Sequence, residues 1–314
     1  MSKSRHLIDP EILEMLDIPF GELNAETLPE VRANPLFTGV NLPPSPFPVT
    51  EARTPVEGGP DARLVVMDPP SQQRGRGAIL HTHGGGFVVG TADAATSTMC
   101  PLAQEHDCVV VSVDYRLPPE APFPAPQEDA YAGLEWLASH ADELNIDPER
   151  IVVMGNSAGG GLAASLAQMA RDRGGPKIAG QVLVQPMLDW RTGGPEDQWR
   201  NAHTGEFLWT RQKNRFCWGA LRGHYEPSDA RKGWFSPALA DDLSGLPPTF
   251  LSVGALDLFL DEGLDYVRRL IDVGVHCELH VYPGALHSFE MVPDTRLQAQ
   301  AEMDLHRGLR VLMG

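Results

Sequence analysis

Two glycine-rich turns carry most of the chemistry this sequence could perform. Residues 155–159 read Gly-Asn-Ser-Ala-Gly, so Ser157 sits among small neighbours (Gly155, Asn156, Ala158 and Gly159). The pentad follows the apolar run Ile151–Met154 and precedes a helical pattern from Ala158 to Arg171. Strand, sharp turn, helix is the setting that lifts a serine hydroxyl above a sheet edge as a nucleophile. Small flanking residues let the turn pass close to other backbone. The helix N-terminus favours negative charge developing there. The second turn, His83-Gly84-Gly85-Gly86, ends another apolar run. Acyl transfer builds an oxyanion, and backbone N–H groups must point at it without side chains in the way. Gly84 and Gly85 suit that task, with the N–H of Ala158 as a third donor; Gly86 stays open. His83 is expected to hold the loop through a backbone bond instead of acting as a base. Neither turn continues into the Lys-Ser/Thr of a P-loop or a G-x-G-x-x-G run, which argues against a phosphate cradle.

A nucleophile on such an elbow takes its acid and then its base further along the chain. The histidines after Ser157 are His203, His224, His276, His280, His287 and His306. His287 lies just past the last apolar run, in Pro283-Gly-Ala-Leu-His-Ser-Phe289, where a loop at the C-terminal end of a strand can reach a switch-point crevice. It is the expected base. Asp257 follows the run Thr249–Gly254 directly and is the expected acid, orienting the imidazole. Asp261 is its alternative. Asp261 and Glu262 open the next helical pattern, where acidic residues serve the helix dipole.

The elements that must position these groups alternate. Strands are expected near 64–67, 77–81, 109–113, 151–154, 181–184, 249–253 and 278–282. Helices are expected near 94–105, 127–140, 158–171, 261–273 and 296–313. Several strand runs are continuously apolar, as in strands covered on both faces, which predicts a mostly parallel sheet between helical layers. A short helix is expected at 10–16 behind Asp9, and the Pro-rich stretch 41–48 reads as an extended linker. Residues 190–235 break the rhythm. They hold Trp190, Trp199, Trp209, Trp218 and Trp234, and read as a helical insertion whose aromatics either pack on the core or line an apolar pocket.

Composition narrows the function. The 314 residues are 42% hydrophobic and 21% charged, within the globular range. A formal net charge of −17 with no basic cluster disfavours nucleic acid and anionic membrane surfaces. No run approaches the roughly 18 apolar residues of a membrane span, and no secretory h-region follows the N-terminus, so a cytoplasmic protein is expected. Cys100, Cys108, Cys217 and Cys277 form no CxxC or metal-like spacing and are expected to be reduced thiols; no metal is expected.

Together the motifs resemble the hormone-sensitive-lipase-like bacterial esterases of the α/β-hydrolase superfamily. The resemblance rests on His83-Gly-Gly-Gly-Phe-Val-Val-Gly90, Val113-Asp-Tyr-Arg-Leu-Pro-Pro-Glu120, Pro122-Phe-Pro-Ala125, Glu128-Asp129-Ala130 and the loops of Ser157, Asp257 and His287. It implies an eight-stranded, mainly parallel sheet with a helical cap. The expected division is a cap segment at 1–45, core at 46–189, a cap insertion at 190–235 and core at 236–314. It also implies hydrolysis of short- to medium-chain acyl esters without a cofactor, and it allows a homodimer. Asp114, Tyr115 and Arg116 are expected to be structural. Asn156, Pro118 and Ser288 stand where Asp, Ala and Gly are usual. Amide, lactone or carbonate hydrolysis shares the first chemical step. A ligand-binding receptor on the same scaffold is the rival from another class, typically with the base lost.

Overall fold

The computed structural model describes residues 2–18, 21–40, 42–199 and 201–314. Eight strands form one sheet: β1 (Val49–Thr54), β2 (Ala62–Met67), β3 (Arg76–Thr82), β4 (Val109–Asp114), β5 (Ile146–Asn156), β6 (Gly180–Val184), β7 (Thr249–Gly254) and β8 (Cys277–Tyr282). Their order is β1-β2-β4-β3-β5-β6-β7-β8. The β1–β2 and β2–β4 pairs are antiparallel; every other pair is parallel. Seven strands fall where the apolar runs predict them. The eighth, β1, is missed from periodicity because Val-Thr-Glu-Ala-Arg-Thr is a largely solvated edge strand with little apolar signature.

The continuous apolar runs have a direct cause. Ile79, Val110 and Val152 pack with Met99, Leu102 and Leu309 on one face of the sheet. Their neighbours Leu80, Val111 and Val153 pack with Leu134, Leu166 and Tyr266 on the other. Successive side chains of a strand point to opposite faces, so a sheet buried on both sides needs apolar residues at every position. Helices Thr96–His106 and Arg296–Met313 cover the first face, and Ala125–Ser139, Ala158–Arg173 and Leu260–Asp272 the second. At roughly 25 cal/mol per Å² of apolar surface, each fully buried Leu, Val or Ile contributes about 1.5–3 kcal/mol before entropy is counted.

The chain reverses direction across the sheet at β3, with β4 on one side and β5 on the other. A crevice opens at the carboxyl ends of strands at such a reversal. The His83 turn leaves β3 there, and the Ser157 turn leaves β5 beside it.

Three expectations need adjustment. Residues Pro10–Asp17 form a 3₁₀ helix, with the Asp9 side chain accepting from the Glu11 N–H. Among the described residues of 190–235, turns and bends predominate, with helix Arg211–Arg222 and the short helix Lys232–Phe235 as the regular parts. Of the linker 41–48, residues 42–48 have no regular structure, and Asn41 lies outside the described residues.

Candidate active site

Ser157 takes φ +56° and ψ −120°, a conformation that side chains other than glycine rarely occupy. Holding it costs on the order of 1–3 kcal/mol, which the surrounding structure must supply. The Ser157 N–H donates to Val184 O at 2.8 Å, and Ser157 O accepts from Gly161 and Met187, each at 3.0 Å. The flanking glycines make the elbow possible. A Cβ on Gly159 would stand 2.0 Å from Thr82 O, and one on Gly155 would stand 2.3 Å from the Gly159 carbonyl carbon. The two loops are therefore packed backbone to backbone.

Asp257 and His287 converge on this elbow from β7 and β8. His287 Nδ1–H donates to Asp257 Oδ2 at 2.7 Å, and His287 Nε2 lies 3.0 Å from Ser157 Oγ. The carboxylate accepts only, so the Nδ1 proton is fixed and the Nε2 lone pair faces the hydroxyl. Asp257 is 1% exposed, which confines its second oxygen to the Phe259 N–H at 3.0 Å. Phe259 meets the imidazole edge-on at 5.2 Å between centroids, and Trp209 packs at 5.8 Å. The alternative acid, Asp261, makes no such contact. Its carboxyl is pushed upward by burial, which a hydrogen bond with Asn201 partly offsets.

The His83 turn borders the same hydroxyl. Gly84 and Gly85 line the cavity over Ser157. Gly85 has φ +113°, and a Cβ there would lie 2.2 Å from Val89 O. His83 Nδ1–H donates to Gly84 O at 2.8 Å, its ring stacks on Tyr115 at 4.1 Å, and Tyr115 Oη donates to His83 O at 2.8 Å. His83 thus bonds the backbone of its own turn. Burial drives its proton affinity down. Arg116 pairs with Asp129 at 2.7 Å and Asp114 pairs with Arg63 at 3.2 Å, so these residues tie the β4 end to its surroundings.

The cavity over Ser157 measures about 140 Å³. Leu23, Val31 and Phe37 form one wall, and Leu208, Trp209 and Lys213 another. Of the five clustered tryptophans, Trp209 is the one that lines it. Trp218 is buried against Phe87 and Phe235, and Trp190 and Trp234 pack on the main core. Burial pulls the Lys213 ammonium below its ordinary value, while its Nζ donates to Leu208 O at 3.0 Å.

Sequence reasoning missed several residues here. Leu23, Val31, Phe37 and Lys213 carry no motif. Glu262 was expected to serve a helix dipole. Instead it is buried and accepts from the Leu188 N–H at 2.6 Å, the Asp189 N–H and the Thr192 hydroxyl, rooting the insertion on the core. Burial beside Asp189 raises its carboxyl well above the usual range. Among the described residues one trio of metal-type ligands meets, Glu105 with His106 and His306. Its two imidazoles hydrogen-bond each other at 2.8 Å and take no part in the triad. Cys100, Cys108 and Cys217 are buried and Cys277 half-buried, all as free thiols. No helix among the described residues is long and apolar enough to cross a membrane.

Known proteins share this arrangement. Residues 79–291 match a family described by the alpha/beta hydrolase fold. Esterase LipI of Mycobacterium tuberculosis is 33% identical over 289 residues, covering 90% of this chain and 88% of LipI. Carboxylesterase NlhH of the same organism is 34% identical over 294 residues, covering 90% and 88%. Among solved structures, a bacterial heroin esterase superposes with TM-score 0.89 at 33% identity, covering 98% of this chain and 99% of its own. Esterase LipW from Mycobacterium marinum gives 0.79 at 28%, covering 99% and 98%. With an elbow serine in contact with an imidazole and relatives matching along nearly the whole chain, this protein belongs to the alpha/beta hydrolase fold family, within its carboxylesterases.

Proposed function

We propose that this carboxylesterase acts on short- to medium-chain acyl esters, with Ser157 as nucleophile, His287 as base and Asp257 as the carboxylate that orients it. The observation that carries the assignment is the continuous line from Asp257 Oδ2 through His287 to Ser157 Oγ, at 2.7 and 3.0 Å. His287 takes the Ser157 proton as Oγ attacks the ester carbonyl. The oxyanion is held by the N–H groups of Gly84, Gly85 and Ala158, which together supply several kcal/mol. His287 then gives its proton to the leaving alcohol, and water releases the acyl group by the same route.

The small apolar cavity supports a compact acyl group. Its walls support a cap built from residues 1–45 and 190–235 over a core of 46–189 and 236–314, since Leu23, Val31 and Phe37 come from the first piece and Leu208 and Trp209 from the second. Arg32 clasps that first piece to the core, donating to Val88 O and Pro118 O at 2.8 Å each and pairing with Glu120. The base retained beside the serine disfavours a receptor without turnover. The test is turnover of p-nitrophenyl acetate, butyrate, hexanoate and decanoate, with fluorophosphonate labelling to locate the nucleophile. The expected result is a preference for the shorter acyl chains and label on Ser157. Label elsewhere, or none with ester still hydrolysed, would remove the assignment.

A further inference from the structure

The triad is joined a second time, behind its reacting atoms. Val184, whose carbonyl holds the Ser157 N–H at 2.8 Å, is followed by Gln185. Gln185 is 3% exposed and has φ +47°, a strained backbone conformation for a residue with a side chain. Its Oε1 accepts from the Ser288 N–H at 2.5 Å. Ser288 follows the base and has φ +58°. Gln185 Nε2 donates to both oxygens of Glu290 at 2.7 Å. An unbroken path therefore runs from the nucleophile's amide through Val184 and Gln185 to the backbone next to His287. None of these side chains is needed for acyl transfer itself.

Resting on the triad assignment above, we propose that Gln185 and Glu290 are positioning residues for the base: Gln185 fixes the height of the His287 loop over Ser157, and the Glu290 carboxylate fixes which end of the Gln185 amide faces Ser288. The two ends of a glutamine amide are alike in shape and opposite in hydrogen bonding. A carboxylate only accepts, so it draws the NH₂ end to itself and leaves the oxygen for the Ser288 N–H. A turned amide would set donor against donor at the residue after the base. Protonated Glu290 no longer enforces the choice.

The charge has a second effect. Glu290 faces His287 and Asp257, and the Tyr282 phenol stands near it. Glu105, Glu302 and His306 line the same rear cavity, which measures about 600 Å³. Desolvation holds the Glu290 carboxyl above its ordinary range, so the clamp is lost as pH falls through that raised value. While ionised, Glu290 favours the imidazolium that His287 becomes during attack.

The test is steady-state hydrolysis of p-nitrophenyl acetate from pH 5 to 9 by the wild type, Gln185→Met and Glu290→Gln, with thermal melts of each. Gln185→Met is expected to lower kcat by about 10- to 100-fold, as for a base displaced by a fraction of an ångström, with KM within about threefold. Glu290→Gln can donate as well as accept, so it leaves the Gln185 amide free to turn, and it should lower kcat several-fold at pH 8. Its acid limb of kcat/KM should move to lower pH, because a titrating group and a negative charge beside His287 are both removed. Unchanged kcat and pH profile in both variants, a lowered melting temperature with unchanged kinetics, or a rise in KM alone would overturn the clamp. An inactive wild type would instead overturn the esterase assignment.

Discussion

Two cavities of different polarity share Asn156 and Ser288, the chain neighbours of Ser157 and His287. In front, Leu23, Val31, Phe37, Val89, Leu208 and Trp209 build an apolar hollow, with Lys213 the one lysine or arginine among the described residues that line it. Behind, Glu290, Ser252, Glu302 and His306 give a more polar one, and Asn156 and Ser288 border both. An apolar front suits an acyl chain, whereas the polar groups of the rear cavity set donors and charges behind the His287 loop. Selectivity is thus expected from the front and base geometry from the rear, and substitutions can separate the two.

The largest effect is expected at the nucleophile itself. Ser157→Ala should lower kcat for p-nitrophenyl acetate by about 10⁵-fold or more, with little further loss on adding His287→Ala, because the residues act as one unit. Next is Asp257→Asn. The carboxamide can present its NH₂ to Nδ1 and turn the imidazole to the wrong tautomer, and kcat should fall by roughly 10³- to 10⁴-fold with KM nearly unchanged. In the front wall, Trp209→Ala should lower kcat/KM for the acetate ester by roughly tenfold. Longer acyl esters should lose less, since the vacated space takes added methylenes. An equal loss across the series would mean that Trp209 acts on the base and not on selectivity.

Two smaller effects concern stability. Ser157→Gly removes the nucleophile and its strain together, and should raise unfolding free energy by about 1 kcal/mol despite glycine's entropy cost, measured by denaturant melts. His81, buried and bonded to Ser112 Oγ at 2.9 Å, is pulled down from 6.5 to about 3 by desolvation. A depressed folded value means the unfolded chain binds the proton more readily. The stability involved is present above pH 6.5 and is lost as pH falls below it toward 3. One such group gives a slope of at most about 1.4 kcal/mol per pH unit. His81→Gln should flatten the acid-side decline in melts between pH 6.5 and 4.

Some parts of this arrangement were legible in sequence because they are local. The elbow is written within five residues, since only small side chains fit where Thr82 O comes within 2.0 Å of a Cβ position on Gly159. The strands of the parallel core are written as apolar runs, since both faces are covered. The meeting of His287 and Asp257 with Ser157 was legible because each lies in the loop that follows its strand. Edge strand β1 was not legible, because a solvated strand needs no apolar run. Nor was the inward turn of Glu262, because its partners Leu188 and Thr192 lie some 70 residues away in the chain. The front wall was equally hidden, because a Leu or Phe lining a cavity has the same chemistry as one in the core.

The sequence by itself determined which side chains could meet, since Ser157, Asp257, His287 and the glycine loop each follow a strand and each leaves a short-range mark. The tertiary structure alone decided how they are held and what reaches them. The clamp of Gln185 on Ser288 and the two walls over Ser157 join segments more than a hundred residues apart in the chain. Such contacts depend on how the sheet orders its strands, and no local pattern of residue types encodes that order.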